Sequence, residues 1–186
     1  MQPFATPQQL EEMTQGKIPA SHPSVEALLN GASRAIRRRC GWHIGPEVTE
    51  VLTVDGSGGE YLQLPTMHLV DVVSVAERGR DDVPGDLVEW SATGTLRAPY
   101  GRWTDRFRGI RANVKHGYPI EDLADLTQIV LQVCSIALSS PTGATREQSA
   151  ALAVSWATTA PGVSGGLSLL QRDLDIVDSY RIGASA

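Results

Sequence analysis

The sequence predicts an α+β fold: a helical core of two N-terminal helices plus a long central helix, an inserted antiparallel β region, and a C-terminal arm ending in a helix. Three observations lead there. Apolar residues recur at three- and four-residue steps in two stretches, 25–40 and 123–138, the spacing of amphipathic helices. Between them, residues 46–118 switch to short β-branched runs punctuated by glycine and proline, the pattern of short strands. Beyond residue 141 the chain turns to Ser, Thr, Ala and Gly, with too little apolar surface for a core of its own. The expected organisation is therefore 1–45 and 119–140 as helical core, 46–118 as β region, and 141–186 as arm.

Thr6-Pro7-Gln8-Gln9 has the form of a helix start, with Thr6 as cap, Pro7 at the first helical position and Gln9 completing a capping box. This helix should stop by Gly16. The second begins near Pro23 and carries Val25, Leu28, Leu29, Ala32, Ile36 and Cys40 on one face, with Gly41 as C-cap. In the β region, Val48–Val54 reads as a strand, 55–59 as a tight glycine turn, and Tyr61 to Leu64 as a return strand ending at Pro65. Leu69–Glu77 follows as a valine-rich strand, then short strands at 87–90 and 95–97. Ile110, Ala112 and Val114 alternate with Arg111, Asn113 and Lys115, the cleanest half-buried strand in the chain. The central helix should span about 121–139, with Glu121 and Asp122 at its positive end. A β-like run at 152–156 interrupts the arm. The last helix, about 167–180, has Leu170, Leu174 and Val177 in register.

Composition removes several function classes. Sixteen basic against twenty-one acidic side chains give a net charge of −5, which argues against a dedicated nucleic-acid binder. The run from Met1 has no charged region followed by an apolar one, so no secretory leader is expected, and no stretch approaches the roughly 18 apolar residues of a membrane helix. Cys40 and Cys134 match no metal spacing and read as buried, reduced thiols.

The search for chemistry is brief. Gly162-Val163-Ser164-Gly165-Gly166 fits the G-x-S-x-G pattern of serine hydrolases, but no histidine lies beyond His116, so the order Ser, acid, His is impossible. A hinge before the last helix is the better reading of Ser164. The 55–59 glycine run lacks the Lys-Ser/Thr of a phosphate loop. Asp81, Asp82, Asp86 and Glu89 fit no calcium loop, and His22, His43, His68 and His116 have no paired metal spacing. No catalytic residue, cofactor or metal is expected. Arg34, Arg37, Arg38 and Arg39 crowd the end of the second helix, where positive charge suits the helix dipole. They are candidate inter-subunit contacts to acidic groups. A solvated helix end is the bland alternative, and direct DNA contact is disfavoured by the acidic chain.

The order of motifs resembles a known family. It runs Ala32-Ser33-Arg34-Ala35-Ile36-Arg37-Arg38-Arg39-Cys40-Gly41-Trp42-His43, then Pro46, Thr53-Val54-Asp55-Gly56-Ser57-Gly58-Gly59 and Leu62-Gln63-Leu64-Pro65. A valine-rich strand follows, then Val114-Lys115-His116-Gly117-Tyr118 before a long helix, and Tyr180-Arg181-Ile182-Gly183 at the end. Over nearly its whole length the chain is similar to the head-to-tail connector, or adaptor, proteins of siphovirus-type tailed phages, particularly those of actinobacteria. The resemblance implies a non-enzymatic structural subunit of the virion neck, assembled in the host cytoplasm into a cyclic ring of about twelve copies beneath the portal. Such a ring extends the DNA channel, lets double-stranded DNA pass without sequence-specific binding, touches no membrane, and offers its lower face to a stopper or other tail protein. The resemblance implies the C-terminal helix as the portal-docking element, with Leu167, Leu170, Leu174, Val177, Tyr180 and Arg181 as candidate contacts. A chain lacking 167–186 should then keep its fold and lose portal binding. A stopper or tail-terminator of the same neck is the alternative, and a small serine hydrolase using Ser164 the remote one.

Overall fold

The computed structural model describes residues 1–80, 82–139, 146–149, 152–155 and 169–183. The chain is α+β and divides into two units: Met1–Arg39 with Leu123–Ser179, and Cys40–Asp122 with Tyr180–Ala186.

The first unit is helical. α1 (Pro7–Met13) carries the expected capping box: the Gln9 amide donates to Thr6 Oγ1 at 3.2 Å, and the Thr6 amide donates to Gln9 Oε1 at 2.8 Å. α2 (Val25–Cys40) buries Val25, Leu29, Ala32 and Ile36, and α3 (Ala124–Ser139) buries Leu126, Ile129, Val130, Leu131, Val133 and Cys134. Hydrogen bonds knit the N-terminal segment between these helices. The Phe4 amide donates to Ser33 Oγ at 3.0 Å, and Thr127 Oγ1 donates to the Phe4 carbonyl at 2.8 Å. α4 (Gln171–Ser179) is shorter than the periodicity implied and buries Val177 and Asp173. One composition-based expectation needs correction. The 20-residue stretch Ile120–Ser139 is long enough and, with a mean hydropathy of 1.2, apolar enough to cross a membrane. Its inward face packs as a core helix does.

The second unit is built of strands: β1 (Val48–Val54), β2 (Tyr61–Gln63), β3 (Leu69–Glu77), β4 (Val83–Pro84), β5 (Thr95–Arg97) and β6 (Ile110–His116). The order β1-β6-β3-β4 makes one antiparallel sheet, and β2-β5 a second. One apolar core joins them, with Leu62, Leu64 and Leu96 from the small sheet and Val72, Val75, Ile110, Ala112 and Val114 from the large one. A further pair, β7 (Arg146–Ser149) and β8 (Leu152–Ser155), forms an antiparallel hairpin.

Two local expectations change. β1 and β2 are not a hairpin, because β1 pairs with β6 and β2 with β5. The glycine run between them crosses from one sheet to the other along the 103–106 backbone, where the Gly56 amide donates to the Arg106 carbonyl (2.9 Å) and the Gly58 amide to that of Thr104 (3.0 Å). Residues 85–87 form a 3₁₀ turn, and only Trp90 of the expected 87–90 strand makes a bridge, to Leu96. The valines of β3 also break strict alternation. Its pairing with β6 shifts register between Leu69 and Asp71 and again between Val72 and Ser74, so Val72 and Val75 point inward while Val73 is exposed.

Gly85 sits against the second of these irregularities, where an added Cβ would overlap the Val72 carbonyl. Gly85→Ala should therefore cost about 3 kcal/mol. Gly79→Ala, strained only by its φ of +89° with open space around it, should cost about 1 kcal/mol. Urea unfolding of the two variants side by side checks the difference.

Candidate functional site

The motif residues separated by up to 140 positions in sequence meet in the strand unit. Trp42 Nε1 donates to the Tyr180 carbonyl at 2.7 Å, and the Ile182 amide donates to the Cys40 carbonyl at 3.1 Å. Rings close the cluster. Tyr118 makes edge contacts with Trp42 and Tyr180, each at 5.9 Å between centroids, and stacks on His68 at 4.3 Å. Burial raises the Tyr118 phenol above its ordinary pKa. The backbone beneath is equally tight: the Tyr118 amide donates to the Ile44 carbonyl at 2.7 Å, and His68 Nδ1 lies 2.9 Å from the Gly117 carbonyl. Gly117, at φ +98°, holds a backbone that side chains rarely adopt, and an added Cβ would press at 3.2 Å on both the Ile44 and Pro46 carbonyls. Cys-Gly-Trp-His, His-Gly-Tyr and Tyr-Arg-Ile-Gly are thus three faces of one structural cluster. His116 lies beside it, buried, with Nε2 3.0 Å from Glu50 Oε1.

The expected docking residues fall into different environments. Leu167 lies outside the described residues, as does Ser164 with its glycine run. Leu170 and Leu174 are half-buried, and Val177 is fully buried in the helical unit. Tyr180 is half-buried in the aromatic cluster, and Arg181 is exposed. Removing 167–186 would therefore strip core from the helical unit and end strands of contact from the other, so truncation is not a clean test of docking. Ile176, 38% exposed, is an outward apolar residue of α4 that periodicity did not single out.

The α2 arginines also divide. Arg37 is only 5% exposed. Its Nη2 donates to the Gln2 carbonyl at 2.8 Å, its guanidinium lies 4.1 Å from the Phe4 ring centroid, and burial lowers its pKa to about 10. Arg39 makes a bidentate pair with Asp178 of α4, at 2.7 Å to each oxygen. Arg34 and Arg38, four residues apart and both exposed, share the outer face of the helix.

A second arginine group went unread in the sequence. Arg78 and Arg80 lie in the turn between β3 and β4, Arg102, Arg106 and Arg108 in the β5–β6 connection, and Arg111 at the start of β6, with Arg80 Nη1 donating to the Arg102 carbonyl at 3.5 Å. Arg78, Arg80, Arg108 and Arg111 line an open groove of about 460 Å³. Buried Glu77 ties the two loops together, accepting from the Thr104 amide at 2.6 Å and from Arg80 Nη1 at 2.8 Å. Asp55 Oδ1 accepts from the Arg108 amide at 2.6 Å and holds Arg108 at φ +50°. The Arg78 amide donates to the Gly109 carbonyl at 2.8 Å. Phe107 stands at the apex, 83% exposed, with Tyr100 nearby in sequence at 67%. The signal that could have found it is Arg106-Phe107-Arg108 with Arg102 and Arg111, four arginines in ten residues.

Nothing in these arrangements resembles a reaction centre. Among the described residues no group of three or more His, Cys, Asp or Glu could hold a metal ion. Cys134 is buried and its thiol is pushed up to about 11, which leaves it protonated and unreactive at neutral pH.

Trp42→Phe keeps the ring and loses the bond to the Tyr180 carbonyl, so it should cost about 1 kcal/mol and speed exchange of the Ile182 amide, measurable by hydrogen exchange. Arg37→Ala should cost about 2 kcal/mol by leaving the Gln2 carbonyl and the Phe4 face uncovered. Arg38→Ala should change thermal stability by less than about 0.5 kcal/mol.

No protein-family model and no curated protein matches the chain. Among solved structures it is similar to a chain from the neck of an empty GTA particle computed with C6 symmetry. The two are 13% identical, with a TM-score of 0.56, over 97% of this chain and 90% of that one. At that identity the likeness shows a common fold, and it takes in the helices and the strand region alike.

Proposed function

We propose that the chain is a structural component of the neck of a phage-like particle, a head-to-tail connector subunit and not an enzyme. It works in a ring beneath the portal, where it extends the DNA channel and gives the tail its attachment surface. The observation that carries this reading is the fold shared with a neck chain over 97% of this sequence and 90% of that one. The motif order similar to siphovirus-type connectors points the same way, and the structural cluster of Trp42, Tyr118 and Tyr180 gives those motifs a physical reason to occur together. The C6 symmetry of the neighbour's neck is compatible with rings of six or of about twelve copies.

Within this reading α4 and the residues after it form the portal-docking element. Val177 anchors α4 from inside, while Ile176 and the outer edges of Leu170 and Leu174 make the contact, with Arg181 a further candidate beyond the helix. Arg34 and Arg38 are the two arginines of α2 that can reach a neighbouring subunit. A stopper or tail-terminator role in the same neck is the second reading, favoured by nothing specific beyond the same fold likeness.

Two measurements test the proposal. Mass spectrometry of purified particles against the major capsid protein should give about six to twelve copies per particle. Absence from particles would remove the neck reading, and hundreds of copies would point to a shell or tube protein. Ile176→Asp with Arg181→Glu should weaken binding to the portal protein by about tenfold or more while leaving the melting temperature within a few degrees. Unchanged portal binding would move the docking face elsewhere or favour the stopper.

A further inference from the structure

We propose that the arginine tip of the strand unit, residues 78–80 with 100–111, is a contact that seizes an acidic surface on a second copy of this chain. The inference deepens the ring reading and rests on it.

Charge gives the first argument. Residues 100–111 hold four arginines and one aspartate, a net +3 in a chain of −5, so the remainder carries −8. A protein with a basic patch and a net acidic remainder is electrostatically complementary to itself, provided the patch of one copy meets acidic groups of the next. That is a heterologous contact, the kind that closes into rings.

Residue type gives the second. Arginine with aromatics is the composition of interface hot spots. Phe107 at 83% and Tyr100 at 67% exposure leave much of their aromatic surface open in the single chain. Arginine forks in an open groove suit carboxylates, which they hold through two parallel bonds. The same features suit sliding DNA poorly. An exposed phenylalanine between guanidinium clamps would grip a duplex that has to pass.

Order gives the third. Glu77, Asp55 and the backbone bonds from Gly56, Gly58 and Arg78 hold both loops in one shape, so the tip meets its partner already formed. Two of the four α2 arginines expected at a subunit contact are engaged within their own chain, through Gln2 and Asp178. The tip offers six exposed arginines, of which Arg80 pairs with Glu77.

The test places a photo-crosslinking phenylalanine at position 107 of the full chain. The protein is irradiated over a concentration series at low and high salt, with and without portal protein, and with duplex DNA as competitor. The expected result is crosslinked dimers and higher species whose second peptide is an acidic segment of another copy. Their yield should fall in high salt and drop about tenfold in Arg106→Glu/Arg108→Glu, while Lys17→Glu, a charge change at an exposed position outside the tip, leaves it unchanged. Circular dichroism of the double variant keeps a folding failure apart from a lost contact. The proposal is overturned if no copy-to-copy crosslink forms under any condition, or if position 107 crosslinks DNA in preference to protein. A chain that crosslinks to itself but is absent from particles would sink the neck reading and leave this contact standing. A chain present in particles with no such crosslink would do the reverse.

Discussion

The return of the chain end to residues 40–42 is the contact on which the arrangement of the motif residues depends. Trp42 reaches the Tyr180 carbonyl, Ile182 reaches the Cys40 carbonyl, and Tyr118 fills the angle between the two aromatic rings. Each bond is ordinary in strength, about 1 kcal/mol net. Their effect comes from placement. They bind residues more than 130 positions apart and so fix residues 180–182 against the 40–42 segment within the strand unit. Gly117 serves the same end: without a side chain, its backbone lies close against the Ile44 and Pro46 carbonyls.

Much of the fold was legible because much of it is local. The capping box at Thr6 and Gln9, the stripes of α2 and α3, and the alternation of β6 all follow from residues a few positions apart. Sheet partners are a different matter. β1 and β2 look like the arms of a hairpin because a glycine run separates them, yet pairing is decided by which apolar faces share a core. Leu62 belongs with Leu96, and Leu52 beside Ala112. The irregular register of β3 was invisible for a related reason. A run of valines carries no mark of the point at which its alternation slips, and Gly85, whose close approach fits that slip, lies on another strand's approach.

The functional reading divides along the same line. The cluster of motifs was readable as a list, since each piece is distinctive, but its convergence required long-range contacts. The four arginines of α2 drew attention because they are adjacent in sequence, and the structure engages two of them internally. The six arginines of the tip were passed over because a stretch of more than twenty residues separates Arg80 from Arg102. Their meeting depends on a buried carboxylate, Glu77, whose partners are a backbone amide and a single guanidinium. Sequence proximity measures how easily a feature is noticed, and burial measures whether it is available.

The pre-formed tip has a thermodynamic corollary. A loop that stays in one conformation whether bound or free loses little entropy on contact, so a modest patch can contribute most of its gross interaction energy. Contacts of that kind can each be weak enough to release a misplaced neighbour and correct an error of assembly. A closed circle makes two contacts per copy where an open arc leaves one unmade at each end, so closure stabilises the whole more than any single addition. In the ring proposed above, fidelity during growth and durability after closure would come from the same loop.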